Sequence, residues 1–295
     1  MAGDATLALG HVTIQRVTDL DPFAIPIDVL FPDATMEQIN PAARILAGRH
    51  FDPATGKILL AIQSHLVRFA GKTILIDACV GQHKARPLRP EWNLRASTRY
   101  LTNLAACGCA PEDIDMVMCT HLHADHVGWN TRLQSGRWVP TFPNARYLMS
   151  QREVDHRAHE AAQSAAANHG SYQDSVVPIF DAGLARVVQV GEEIVEGSAV
   201  IDLAGHAPGQ IGLELAGDTH SRVLFCGDAI HNPLQVFHPQ WSSGFCFDRA
   251  YAERTRRALL QRAASEGLYL IPAHLRAAAM RIEHRNAGFV PLIEA

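Results

Sequence analysis

In the stretch THLHADHVGWN, spanning residues 120 to 130, His121, His123, Asp125 and His126 are crowded into one short segment. Imidazoles and carboxylates are the ligands that zinc and other borderline divalent ions take. An i, i+2 pair on extended backbone also turns both rings to the same side. His121 and His123 therefore make half of one metal site, while Asp125 and His126, on the turn that follows, point elsewhere and can begin a second. A polar loop with satisfied histidines would account for any one of these residues far more readily than for the four together.

Three further residues can complete the set. SAVIDLAG runs into His206, RVLFCG into Asp228 and LYLIPA into His274. Like the histidine motif, each lies just past an apolar run of strand character. In open α/β sheets ligands gather outside the carboxyl ends of strands, so four such ends can face one cleft. The lone Cys107-Gly-Cys109 has no second pair and reads as structural.

The elements that must position these residues are legible as periodic runs. Residues 57 to 80 read as two strands joined at Gly71-Lys72, with Asp77 at the end of the second. MVMC precedes the histidine motif, and further strands are expected at 145–149, 185–190, 198–204, 211–215, 222–226 and 268–271. Helices are expected over 95–107, 150–168 and 249–266, the last with Asp248 as N-cap and Gly267 as stop. The proline-broken run DPFAIPIDVLFPDATMEQINP reads as a loop or arm. The expectation is a single α/β domain, with residues 57–295 as its body and 1–56 as an N-terminal arm packed on it.

Composition narrows the function. The chain has 295 residues, 47% of them hydrophobic and 19% charged, with a net charge of −4, so a folded domain is the default and no basic stripe favours nucleic acid. No run approaches a membrane span, and the first residues lack a basic and then apolar leader pattern, so a cytoplasmic protein acting on a small molecule is expected. The six cysteines are expected to be buried thiols.

The ligand pattern resembles that of the metallo-β-lactamase superfamily: an early strand-terminal Asp, then HxHxDH, a His, an Asp and a final His. Asp77, His121, His123, Asp125, His126, His206, Asp228 and His274 match it. The resemblance implies an αββα sandwich of two mixed sheets flanked by helices. It also implies a dinuclear centre in which His121, His123 and His206 hold one ion, Asp125, His126 and His274 hold the other, and Asp228 bridges them. Asp77 would orient the loop and ligands without binding metal. Zinc is the expected ion, with manganese, cobalt and iron compatible with the same donors.

The run LFCGDAIH is similar to the branch containing methyl parathion hydrolase and the quorum-quenching acyl-homoserine lactonases. His231 stands where those lactonases carry a tyrosine that meets the substrate carbonyl. The implied reaction is attack by a bridging hydroxide on a small ester or lactone, extending to phosphotriesters, with Asp125 or Asp228 moving the proton and His231 beside the substrate. Trp129, Phe237 and Trp241 are candidate walls of an apolar substrate pocket. The arm, with Phe23, Ile25 and Leu30, would cover that pocket, pack on its own domain or build a homodimer. The alternatives are a glyoxalase II-like thioester hydrolase, a persulfide dioxygenase, and a non-catalytic metal-binding protein.

Overall fold

Strand-forming runs that are apolar at consecutive positions mark sheets covered on both faces, and the two faces can be told apart by period. In RVLFCG, Val223 and Phe225 enter one core while Leu224 and Cys226 enter another. In KTILI, Ile74 and Ile76 share the core of Val223 and Phe225, whereas Leu75 points to the opposite side. That alternation places two sheets face to face, each with a second apolar layer outside.

The structure is a computed structural model that describes residues 6–218, 221–285 and 288–294. The first sheet contains β1 (Leu7–Leu9), β2 (Val12–Pro26), β3 (Phe51–Asp52), β4 (Lys57–Phe69), β5 (Lys72–Ile76) and β6 (Met116–Met118). A hairpin of β7 (Thr131–Gln134) and β8 (Arg137–Pro140) stands apart, and β9 (Arg146–Ser150) and β10 (Ala185–Val188) complete the sheet. The order is β1-β2-β4-β5-β6-β9-β10, with β3 on β4, antiparallel up to β5 and parallel beyond it. The second sheet runs in order through β11 (Ser198–Asp202), β12 (Ile211–Ala216), β13 (Arg222–Gly227), β14 (Tyr269–Pro272), β15 (Ala279–Arg285) and β16 (Gly288–Glu294).

The inter-sheet core joins Val67, Ile74 and Leu148 to Val200, Leu213 and Phe225. Outside the first sheet, Tyr100 and Leu104 of helix Arg99–Ala106 pack with Leu75 and Val117. Outside the second, Leu259, Leu260 and Ala263 of helix Arg249–Glu266 pack with Leu224 and Leu270. The αββα arrangement and its two mixed sheets are those expected.

Two local readings are corrected. Residues 12–26 are not a loose arm: β2 pairs along β4 from Thr13–Arg68 to Pro26–Lys57. Leu20, Phe23 and Ile25 become strand residues because β4 offers a full edge, with irregularities between Thr18 and Phe23 that accommodate Pro22. The helix expected to reach residue 168 ends at Gln163. Its alanine-rich continuation favours helix locally, but Asn168 is drawn away to accept from the Ala124 N–H at 3.1 Å and donate to the Leu122 carbonyl at 2.6 Å. Helix Arg249–Glu266 matches its reading, with Asp248 accepting from the Tyr251 N–H at 2.8 Å and Gly267 left-handed at φ 68°. All six cysteines are free thiols, four of them buried.

Candidate metal centre

The expected ligands converge where strands of the two sheets end. Asp77 follows β5, His121 to His126 follow β6, His206 follows β11, Asp228 follows β13 and His274 follows β14. Two loops are knitted together here: the Ala78, Gly128 and Trp129 N–H groups donate to the His126, Cys79 and Ala78 carbonyls at 2.6, 2.7 and 2.6 Å. The glycine at 128 is required, because a Cβ there would lie 2.0 Å from the Val80 carbonyl carbon. Gly227, at φ 52°, likewise lets Asp228 pass Thr120, whose hydroxyl would meet a Cβ at 2.8 Å.

His121 Nε2 and His206 Nε2 each lie 2.9 Å from His123 Nδ1. Asp125, His126 and His274 form a second group, with Asp125 Oδ2 at 3.8 Å from His126 Nε2 and 3.6 Å from His274 Nε2. Asp228 lies between the two groups. Its Oδ2 is 3.4 Å from His206 Nε2 and 3.5 Å from His126 Nε2, and its Oδ1 is 3.2 Å from His274 Nε2. Outer contacts fix the rings: His126 Nδ1 meets Asp77 Oδ2 at 2.9 Å, and His274 Nδ1 meets the Ala61 carbonyl at 2.9 Å.

Burial, reinforced by neighbouring imidazoles, holds His121, His123 and His206 well below the usual histidine range despite Asp228. Three neutral rings thus aim nitrogens at one point, an arrangement a cation relieves. Burial also works against charge on His126, but Asp228, Asp77 and Asp125 override it and raise its titration well above the usual range. His126 Nε2 and Asp228 Oδ1 are buried without a hydrogen-bond partner among the described residues. An imidazole nitrogen and a carboxylate oxygen left this way are donors for a divalent ion. The residues fit two metals.

The sequence model of the family described as Metallo-beta-lactamase superfamily matches residues 59–274. The chain belongs to that superfamily. Among the relatives of this chain, N-acyl homoserine lactonase AiiB of Agrobacterium fabrum (strain C58 / ATCC 33970) is 24% identical over 288 residues, covering 92% of this chain and 97% of that protein. AidC, a dizinc quorum-quenching lactonase solved with a product, superposes with a TM-score of 0.79 at 19% identity, covering 99% of this chain and 98% of that one. The hydrolase AbOPH, of the beta lactamase superfamily, superposes with a TM-score of 0.79 at 22% identity, covering 100% and 98%. At those identities the two structures speak for the fold.

In this member of the superfamily the ligands open onto a cavity of about 300 Å³. Phe23, Ile25, Leu30, Leu60 and Ile62 make an apolar wall, His231 sits beside Asp228, and Arg89, Arg157, Asn168 and His169 also line it. His231 is buried, with its Nε2 3.2 Å from Asp228 Oδ2 and neither ring nitrogen hydrogen-bonded among the described residues.

The three aromatic residues expected to wall the pocket do not line this cavity. Trp129 is fully buried, stacked on Tyr100 at 5.1 Å, with its indole N–H donated to Asp19 Oδ2 at 3.0 Å. A buried indole needs such a partner, and Asp19 supplies it. Phe237 packs against the core of the first sheet, and Trp241 stacks on His238 at 3.9 Å beside a separate groove. The apolar wall comes instead from the reputed arm. Phe23 pairs with Leu60 across β2 and β4, and the 23/25 and 60/62 spacings are the period-2 signal that marks one face.

Sequence reading also missed Glu153. Its Oε1 accepts from the Leu122 N–H at 3.2 Å and its Oε2 from the Gly209 N–H at 3.1 Å, tying the His121–His123 segment to the His206 loop. Arg157 donates to Glu153 at 3.0 Å and to Glu160 at 2.7 Å. Arg276, two residues beyond His274, is engaged with Asp21 at 2.6 Å.

Proposed function

We propose that the protein is a dinuclear metal-dependent hydrolase of small, uncharged esters or lactones with an apolar portion, with phosphotriesters as accessible secondary substrates. The observation that carries this reading is the Asp228 carboxylate, set between two ligand groups and lining a cavity that Phe23, Ile25, Leu30, Leu60 and Ile62 also line. The lactonase activity named for AiiB and AidC supports the choice of bond.

His121, His123 and His206 would hold one ion, Asp125, His126 and His274 the other, and Asp228 both. When bound, two divalent ions, zinc foremost, supply an activated water near neutral pH and a Lewis acid for the carbonyl oxygen. The chain supplies the rest. Phe23, Ile25, Leu30, Leu60 and Ile62 bind the apolar part of the substrate and exclude bulk water, which strengthens every polar interaction at the reacting end. His231, whose ring nitrogens make no hydrogen bond among the described residues, donates a hydrogen bond to the substrate carbonyl oxygen as charge builds there. Asp125 or Asp228 takes the proton released on attack and returns it to the leaving alkoxide.

The test is metal analysis joined to a substrate panel of acyl-homoserine lactones, aryl esters, phosphotriesters and S-lactoylglutathione. About two metals per chain and fastest turnover of a lactone or ester support the reading. An active preparation with one metal counts against the dinuclear centre, and S-lactoylglutathione turned over far above the rest moves the protein to the thioester class.

A further inference from the structure

We propose that Arg89 is the substrate-recognition residue of the cavity, reading an oxygen acceptor that the substrate carries apart from its scissile ester. The proposal rests on the hydrolase reading for the identity of that substrate.

Three cations lie on the loop from residue 84 to 89, and two of them turn inward. Lys84 is buried, donates to the Thr131 hydroxyl and to the Asp174 carbonyl at 2.9 Å, and Arg86 grips the Asp174 carboxylate with two bonds, at 2.7 and 2.9 Å. Those bonds pin the loop, and the turn that follows is closed by the Trp92 N–H donating to the Arg89 carbonyl at 2.9 Å. Arg89 alone of the three turns to the cavity.

Its side chain is positioned without using its donors. The guanidinium carbon lies 5.7 Å from the Trp92 ring centroid and 5.3 Å from that of Phe245, so aromatic faces from two separate loops hold it. Among the described residues it has no carboxylate or carbonyl partner, whereas Arg157, the other arginine of the cavity, is paired with Glu153 and Glu160. A guanidinium presents five N–H donors in a fixed plane, and stacking on a ring leaves them all free. In a cavity that it shares with His123, Asp125, His206 and several apolar side chains, that fork suits an amide carbonyl or a carboxylate oxygen. A purely hydrocarbon tail offers it nothing.

The experiment uses the metal-loaded enzyme and three γ-lactones of equal chain length, bearing an α-acylamino, an α-carboxyalkyl or an α-alkyl substituent. Wild type is expected to prefer one of the first two, the better of which identifies the acceptor. Arg89→Met, which keeps the aliphatic stack, is expected to lower kcat/KM on that substrate roughly 10- to 100-fold more than on the alkyl lactone, chiefly through KM, with Arg89→Lys intermediate. Calorimetric binding of the three ring-opened hydroxy acids gives a second readout that needs no turnover: Arg89→Met is expected to weaken Kd by a similar factor for the acylamino or carboxyalkyl acid and to leave that of the alkyl acid unchanged. Equal losses on all three lactones, or equal Kd values, overturn the assignment by reducing Arg89 to a structural clamp. If no lactone is turned over yet product binding depends on Arg89, the recognition role stands and the hydrolase reading falls.

Discussion

Asp77 holds His126: its Oδ2 lies 2.9 Å from His126 Nδ1 while its Oδ1 accepts the Thr120 N–H at 2.8 Å. Asp77 adopts a left-handed φ of 59°, a conformation that aspartate tolerates better than most residues and that costs energy the surrounding loop must offset. One carboxylate thus anchors the start of the histidine loop and sets the face His126 turns to the site. Asp77→Ala is expected to weaken metal binding roughly 10- to 100-fold, read by competition with a chromogenic chelator. Unchanged affinity would leave Asp77 as a turn residue only.

Asp228 sits between both ligand groups, so its loss should be felt by both. Asp228→Ala is expected to lower metal content from about two per chain to about one or less and kcat/KM by at least roughly 100-fold. Elemental analysis and steady-state kinetics on the same preparation check this, and full activity would sink the two-metal reading.

The cavity wall and the buried tryptophan should separate cleanly. Phe23→Ala and Leu60→Ala are expected to raise KM for long-chain substrates, with each lost methylene contact worth about 0.8 kcal/mol of binding. Trp129→Phe removes the donor to Asp19 and should cost about 1–3 kcal/mol of stability in denaturant melts while KM holds. A KM shift at position 129 as large as at 23 would contradict the assignment.

Asp174 is the counter-charge for two buried cations. Burial pulls Lys84 down to about 7 even with Asp174 beside it, and Arg86 is 1% exposed. Asp174→Asn leaves both without their carboxylate and is expected to destabilise the fold by about 3–5 kcal/mol. Chemical denaturation measures it, and a change below about 1 kcal/mol would mean that the network is worth no more than a surface pair.

Acid should unfold the protein by a route separate from metal release. Burial, aided by nearby arginines, lowers His50 and His65 to about 3, from an ordinary value of 6.5. Between those values the unfolded chain binds protons that the native chain does not, so stability is complete above 6.5 and falls as pH drops towards 3. Each histidine contributes up to about 1.4 kcal/mol per pH unit. Denaturant titrations of wild type and of the His50→Gln/His65→Gln variant across that window should differ in slope, and parallel curves would refute the account.

The candidate metal ligands were readable from the chain because their signal is local: donor type, spacing, and position just past an apolar run. Ile74 and Ile76 alternating with Leu75 fix the covered faces of β5 in the same way, and Asp248 with Gly267 fixes a helix that follows. The tertiary structure decided what local pattern leaves open. It turned residues 12–26 into a strand because β4 supplied an edge, ended a helix at Gln163 because Asn168 found bonds to Leu122 and Ala124, and buried Trp129 because its N–H found Asp19. It also separated Arg89 from Arg86, two arginines alike in sequence, by giving only Arg86 a carboxylate partner among the described residues. Identity and spacing determine which groups can do chemistry, whereas pairing and burial, set by contacts between distant segments, determine which groups remain free to meet a substrate.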